Sequence, residues 1–458
     1  MVTGRAPACS RDSWRRRQFA GRASPGLGLR PGDMVIGMVV VLRWLWTAAL
    51  RAAAFADDAR WIILSLLLAA AGVVGLVVSP PAALNIGLAA ASVVLLVLEI
   101  RAHSARLREI QFADRSGDAY TDVRATLQSS TRFEMVETPR GHVVVDWAST
   151  RAIAAGEVTA HMREAAYLLP RELRDAGVAF RRRRIAAGAT YNGHLLGLDT
   201  DLGDGAAANT QWRLVRARYW DHLASDILAM KDVLSGGRLV TELGRALYVD
   251  RRGRLRDFGE SWLLNGIGTS VLALTTDARL VVIAQSNHNE SSQGLLAPSG
   301  SGSLEPVDFQ GASTLRVDEL AANGALRELS EEAGVARIEV ATTAFLGFGR
   351  WLEKSGKPEL FTLALLSIDS HEVRRRRVPS ADRPYTLGAA VLRLTSATDA
   401  WVESDPRSML DVDAVHRLSV PLLVGLRLVA RAVGEAASPA RELVHEALGA
   451  SARGGGPA

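Results

Sequence analysis

Four residues within a six-residue stretch carry the densest chemistry in this chain: Arg327, Glu328, Glu331 and Glu332. Glu331 and Glu332 follow Glu328 by three and four positions, which places all three carboxylates on one face of a helix. Three such carboxylates repel one another and cost helix stability unless a counter-charge is present. A hard divalent cation supplies it. All-oxygen ligands at this density suit Mg²⁺ or Mn²⁺, ions that also bind phosphate oxygens. A solvated acidic helix is the plainer reading of Arg-Glu-Leu alone.

The elements that must position these groups are legible around them. "TSVLALTTDARLVVIAQS" has two β-branched, apolar runs around Thr276-Asp277-Ala278 and predicts a β-hairpin. "GLLAPSGSGSLE" predicts an irregular loop, in which Ser299, Gly300, Ser301 and Gly302 offer backbone N–H groups to a phosphate. "VDELAANGALRELSEEAGV" predicts a helix. Asp318 and Glu319 sit in its first turn and Gly334 ends it. Leu320, Leu326, Leu329 and Val335 are placed to face a sheet. Arg327 and Glu319, about two turns apart, are expected to brace the helix against the loop.

The whole arrangement resembles the Nudix box, in which Gly, Glu, Arg-Glu, an aliphatic residue, Glu-Glu, Gly and an aliphatic residue recur at fixed spacing. Glu319, Arg327, Glu328, Leu329, Glu331, Glu332, Gly334 and Val335 match it; Ser313 stands where the leading glycine belongs, with Gly311 two residues earlier. The resemblance covers roughly residues 262–395. It implies an α/β fold, a Nudix-like α/β/α sandwich with a mixed sheet. It implies hydrolysis of a nucleoside diphosphate linked to another group, with Mg²⁺ (or Mn²⁺) held by Glu328, Glu331 and Glu332. Arg327, Glu328 and Glu331 are the catalytic candidates, Glu331 first among the box carboxylates as acceptor of the water proton. An additional glutamate is sought at Glu353 or Glu359. Glu319 and Gly334 are structural members of the box.

The rest of the chain bounds the setting. Of 54 basic residues in 458, three are lysine (Lys231, Lys354 and Lys357), an arginine bias that fits a GC-rich coding sequence. The net charge of +5 therefore carries no case for nucleic acid. The four-arginine runs Arg181 to Arg184 and Arg374 to Arg377 lack interleaved aromatics and read as solvated surface, with lipid headgroups or another anion as the functional alternative. Cys9 is the single cysteine, which excludes an intrachain disulfide or a Cys-based zinc site. His161 and His222 read as lone structural or exposed histidines on helices.

Residues 61–78 and 82–100 are nearly uncharged apolar stretches separated by Ser79-Pro80-Pro81. Each is long enough, at about 27 Å as helix, to cross the hydrocarbon core. They predict a two-helix transmembrane hairpin. Arg51 and Arg60 before it and Arg101, Arg106 and Arg108 after it place both ends in the cytoplasm. The expected organisation is 1–33 disordered or untranslated, 34–60 an interfacial helix and 61–100 the hairpin. It continues with 101–256 as a mixed α/β or helical middle region, 257–395 as the Nudix-like domain, and 396–458 as a C-terminal helical region and tail. In the middle region, "SARLREIQFADR" reads as helix, "GHVVVDW" as strand, "EVTAHMREAAYLLPRELRDAG" as helix broken at Pro170, and "RYWDHLASDILAMKDVL" as amphipathic helix. The expected setting is a multi-pass protein of the cell membrane with its nucleotide site in the cytoplasm and a possible homo-oligomer through the hairpin. Two functions fit: a membrane-anchored hydrolase, or a nucleotide-sensing module that controls a membrane hairpin effector.

Overall fold

The computed structural model describes residues 82–454, apart from 115–120, 128–129, 188–191, 204–207, 240–243, 287–293, 377–385, 396–397, 399–400, 402–404 and 411–414. The first expected span, the proline turn, the interfacial helix and residues 1–33 lie outside the described residues.

In chain order, the first elements are α1 (Ala82–Glu109), β1 (Ile110–Asp114), α2 (Thr121–Leu127), β2 (Phe133–Thr138), β3 (Gly141–Asp146) and α3 (Trp147–Ala154). Then come β4 (Thr159–Ala166), α4 (Arg171–Ala186), β5 (His194–Leu198), β6 (Gln211–Arg218), α5 (Tyr219–His222), β7 (Lys231–Ser235) and β8 (Arg238–Leu239). The segment around the carboxylates supplies β9 (Gly268–Leu274), β10 (Arg279–Gln285), β11 (Leu296–Ala297), β12 (Gly300–Ser303), β13 (Thr314–Arg316) and α6 (Val317–Ala333). The chain closes with β14 (Val340–Trp351), β15 (Lys357–Leu366), α7 (Ser370–Arg374), β16 (Thr386–Arg393), α8 (Val420–Gly434) and α9 (Pro439–Gly454).

The chain is α/β. Among the described residues the largest sheet has nine strands in the order β11-β10-β9-β15-β14-β3-β2, with β12 also on β9 and β16 also on β10. It is mixed, because β15 runs parallel to β9 and antiparallel to β14. Alternation along β9 assigns its two faces. Val271 and Ala273 pack with Ala325 and Leu329 of α6. Leu272 and Leu274 pack with Leu422, Leu426 and Val429 of α8, and with Val444 of α9. Leu320, Leu329 and Val335 are buried as expected, while Leu326 is half-exposed. A four-stranded sheet, β13-β4-β6-β5, joins the residues just before α6 to the preceding region.

Several expectations change. Residues 110–114 are strand, because they pair with β7. Residues 159–166 are strand, with His161 in it, because β4 is held between β6 and β13. The helix there begins only after Pro170. "RYWDHLASDILAMKDVL" is a short helix followed by a π-helical turn at Leu223–Ile227, a 3-10 turn and β7. "GLLAPSGSGSLE" is not an irregular loop. It contains β11 and β12, because β9 and β10 offer open edges to it. In each case tertiary pairing overrides local composition.

Among the described residues no helix is long and apolar enough to cross a membrane. The segment expected as the second span is the first part of α1, which continues to Glu109. Val93, Val94, Val97 and Leu98 of α1 are 42–57% exposed.

The fit of α6 to the sheet depends on glycine at 300. A Cβ there would lie 2.6 Å from the Leu329 nitrogen and 2.7 Å from the Glu328 carbonyl carbon, both backbone atoms that cannot rotate away. Gly300→Ala is expected to destabilise the chain by about 2–3 kcal/mol through overpacking. Gly434→Ala, whose added Cβ meets nothing within 4 Å, is expected to leave stability nearly unchanged. Thermal melts of the two variants check the contrast.

Candidate active site

Helix α6 carries the site. Its first turn holds Asp318 and Glu319, favourable beside the N-terminal dipole. It stops at Gly334, which has φ 66° and donates its N–H to the Leu329 carbonyl. Arg376 donates to the Gly334 carbonyl (2.7 Å) and pairs with Glu339, so part of the second arginine run clamps the end of this helix rather than lying in solvent. Gly311 makes the left-handed turn at φ 87°, and the Ser313 carbonyl accepts from the Met162 N–H (3.0 Å) as the chain enters β13.

Arg327 is the hub. Its Nε and Nη2 donate to the two oxygens of Asp308 at 2.9 and 3.1 Å, and Nη2 also donates to the Ser303 carbonyl at 2.8 Å. Its Nη1 donates to Glu328 at 2.8 Å and to Glu331 at 3.2 Å. Glu305 stands 3.9 Å from Nη1. Burial alone would lower the Arg327 pKa; the hydrogen bonds to Asp308 and the charges of Glu328, Asp308 and Glu305 outweigh it and raise it. Arg327 therefore does brace the helix against the preceding loop, but through Asp308 and Ser303. Glu319 is not its partner. It is half-exposed and lies 4.0 Å from Arg316.

The three carboxylates have different surroundings. Glu328 is buried at 7% exposure, against Gly302, where a Cβ would come within 2.1 Å of its Oε1. Burial pushes its pKa up to about 7; the Arg327 charge opposes this, and the charges of Glu331 and Asp308 add to it. Glu331 is exposed and joined to Glu328 through the Arg327 Nη1. Glu332 accepts from the Ser301 N–H at 2.9 Å and from Gln285 Nε2 at 3.5 Å.

As the side chains stand, no group of three or more His, Cys, Asp or Glu residues among the described residues is arranged to hold a metal ion. Arg327 occupies the counter-charge position between Glu328 and Glu331, and Glu332 is engaged elsewhere. The donor chemistry nonetheless fits a hard divalent cation. The groups are all carboxylate oxygens, and the buried one lacks enough positive charge to ionise at its ordinary pKa.

Other expected residues fall elsewhere. Ser299 is fully buried; its hydroxyl donates to the Val281 carbonyl and accepts from the Ala273 N–H, and its own N–H goes to Val271. Residues Gly300–Ser303 are a strand packed on α6, and the N–H groups of Ser301 and of the preceding Ser299 are engaged, on Glu332 and on the Val271 carbonyl. Glu359 lies on the other side of the sheet from α6. It pairs with Gly268, receives the Ser270 hydroxyl at 2.7 Å, and lies 3.1 Å from Lys357. Glu353 is bound to His142, at 2.7 Å from its Nδ1. Neither sits beside the box helix. His222 bonds to Asp226 (2.8 Å), whose carboxylate also accepts from the Asn265 and Gly266 N–H groups, so this pair ties two chain segments together. His161 meets Thr314 at an exposed position. In the first arginine run Arg181 is buried and Arg183 donates to the Ile110 carbonyl, so that run, too, is partly structural.

Asp308 is the important residue that the sequence pattern did not single out. No motif contains it, and its nineteen-residue separation from Arg327 hides the pairing.

No protein-family model and no curated protein matches this chain.

The buried Glu328 has a pH signature. Its folded pKa of about 7 exceeds its ordinary value of 4.5. The folded state therefore keeps this proton longer, and the stability it contributes is full below pH 4.5 and lost as pH rises through 7. The loss is about 3 kcal/mol. Metal-free wild-type chain is expected to lose melting temperature between pH 5 and 8 more steeply than Glu328→Gln. Coincident slopes would show that another group titrates.

Proposed function

We propose that the chain is a Nudix-type hydrolase that cleaves a nucleoside diphosphate linked to another group, anchored to the membrane by its N-terminal region. The observation that carries this reading is the junction of Glu328 and Glu331 through Arg327 on a glycine-terminated helix, in a chain that keeps every charged position of the box. The mixed sheet, with α6 on one face and α8 and α9 on the other, supports the α/β/α sandwich that the resemblance implies.

In this reading Glu328, Glu331 and Glu332 would hold Mg²⁺ or Mn²⁺. The bound cation supplies counter-charge to the diphosphate and acidifies water near it. The chain's own groups do the rest. Glu331, the most exposed of the pair bridged by Arg327, accepts the proton of the attacking water. A new oxygen–phosphorus bond forms, the anhydride bond breaks, and the leaving phosphate departs with the second product. Arg327 holds Glu328 and Glu331 side by side through its Nη1. Glu328, buried against Gly302, ionises when positive charge arrives.

The membrane part of the reading rests on the two apolar stretches at 61–78 and 82–100 and on the exposed Val93, Val94, Val97 and Leu98 of α1. These side chains would face lipid or the preceding stretch of a helical hairpin, with the arginine-flanked ends and the hydrolase site in the cytoplasm.

The test is full-length chain in detergent, incubated with Mg²⁺ and a panel of NDP-sugars, ADP-ribose, dinucleotides and oxidised nucleotides, with products read by mass spectrometry. Wild type is expected to cleave at least one of them, and Glu331→Gln to slow that cleavage by roughly 100-fold or more. Tight binding of a nucleotide without cleavage would instead favour the sensing module.

A further inference from the structure

The guanidinium of Arg327 works in two directions. One edge, Nε and Nη2, is fixed by Asp308 and the Ser303 carbonyl; the other, Nη1, points at Glu328 and Glu331. Asp308 is itself buried and hydrogen-bonded. It is 3% exposed, its Oδ2 accepts the Glu305 N–H at 2.8 Å, and its carbonyl accepts from Asn323 Nδ2 at 3.0 Å. The short 3-10 turn that carries it, Pro306–Phe309, is anchored by the buried Phe309. A bidentate Arg–carboxylate pair is geometrically rigid, and more so where water is excluded.

We propose that Asp308 is a positioning residue for the box. It holds Arg327 so that only Nη1 reaches Glu328 and Glu331, making that one N–H edge a built-in counter-charge that a divalent cation replaces. The inference rests on the cation-binding reading of the same carboxylates. The physical argument is competition. With Asp308 in place, Arg327 is committed on two of its three nitrogens and yields the carboxylates readily. Without that anchor the whole fork is free to close on Glu328 and Glu331, and it opposes the cation more strongly. Loss of an outer partner that orients a metal's ligands costs about 10- to 100-fold in affinity; Asp308 acts one step further back, through the competing arginine, and the lower end of that range is expected.

The test titrates full-length chain in detergent with Mn²⁺, reading free Mn²⁺ by electron paramagnetic resonance, with circular dichroism confirming the fold of each variant. Wild type is expected to bind Mn²⁺. Asp308→Asn should weaken that binding about tenfold or more, and Asp308→Glu, which keeps the charge, should recover part of it. In an Arg327→Gln background the Asp308→Asn change should add little, because its effect runs through the arginine. Equal affinity of Asp308→Asn and wild type overturns the proposal, as does an undiminished effect of Asp308→Asn in the Arg327→Gln background. Absence of Mn²⁺ binding by wild type itself is a separate result; it removes the cation reading and this inference with it.

Discussion

The site depends on one electrostatic constraint. Helix α6 packs so closely on β12 that Glu328 is enclosed, and a carboxylate enclosed without a cation resists ionisation. Arg327 meets part of that need but is shared among several acids. Asp308 takes its Nε and Nη2, leaving a single nitrogen between Glu328 and Glu331. The arrangement satisfies the fold while leaving negative charge in excess around one arginine. That excess is what the proposed cation would meet.

The scaffold explains why this geometry is held. Gly300 and Gly302 remove side chains where α6 must approach β12. Gly334 ends the helix, and Arg376 secures its carbonyl. On the N-terminal side, β13 enters the four-stranded sheet through β4, so the residues leading into α6 are tied to a region more than 150 positions earlier. On the far face, α8 and α9 cover the sheet with a continuous apolar layer. The carboxylates thus stand on a helix fixed at both ends and along its length.

Much of this was legible in the sequence, and the misses have physical reasons. The α6 helix, its glycine stop and the β9–β10 hairpin carry their signals locally, in periodicity and turn residues, and were readable. The burial of Leu320 and Leu329 follows from the same period. The strand at Gly300–Ser303 was not readable, because glycine and serine have low strand propensity and only pairing with β9 recruits them. Residues 159–166 carry a helical composition, and pairing with β6 and β13 overrides it. Glu359 looked like a neighbour of the box by sequence position; strand alternation puts it on the opposite face, beside Ser270. Asp308 had no motif to mark it, since an ion pair across nineteen residues is set by tertiary packing alone.

On the proposed reading, Glu328 and Glu331 give up the Arg327 Nη1 to a divalent cation. The most direct measurement is a crystal structure of the Mn²⁺-soaked protein with anomalous diffraction at the manganese edge. An anomalous peak at the Glu328 and Glu331 carboxylates is expected, with the Arg327 Nη1 withdrawn from both and the Arg327–Asp308 pair intact. Strong manganese peaks elsewhere, with Arg327 still bridging Glu328 and Glu331, would contradict it.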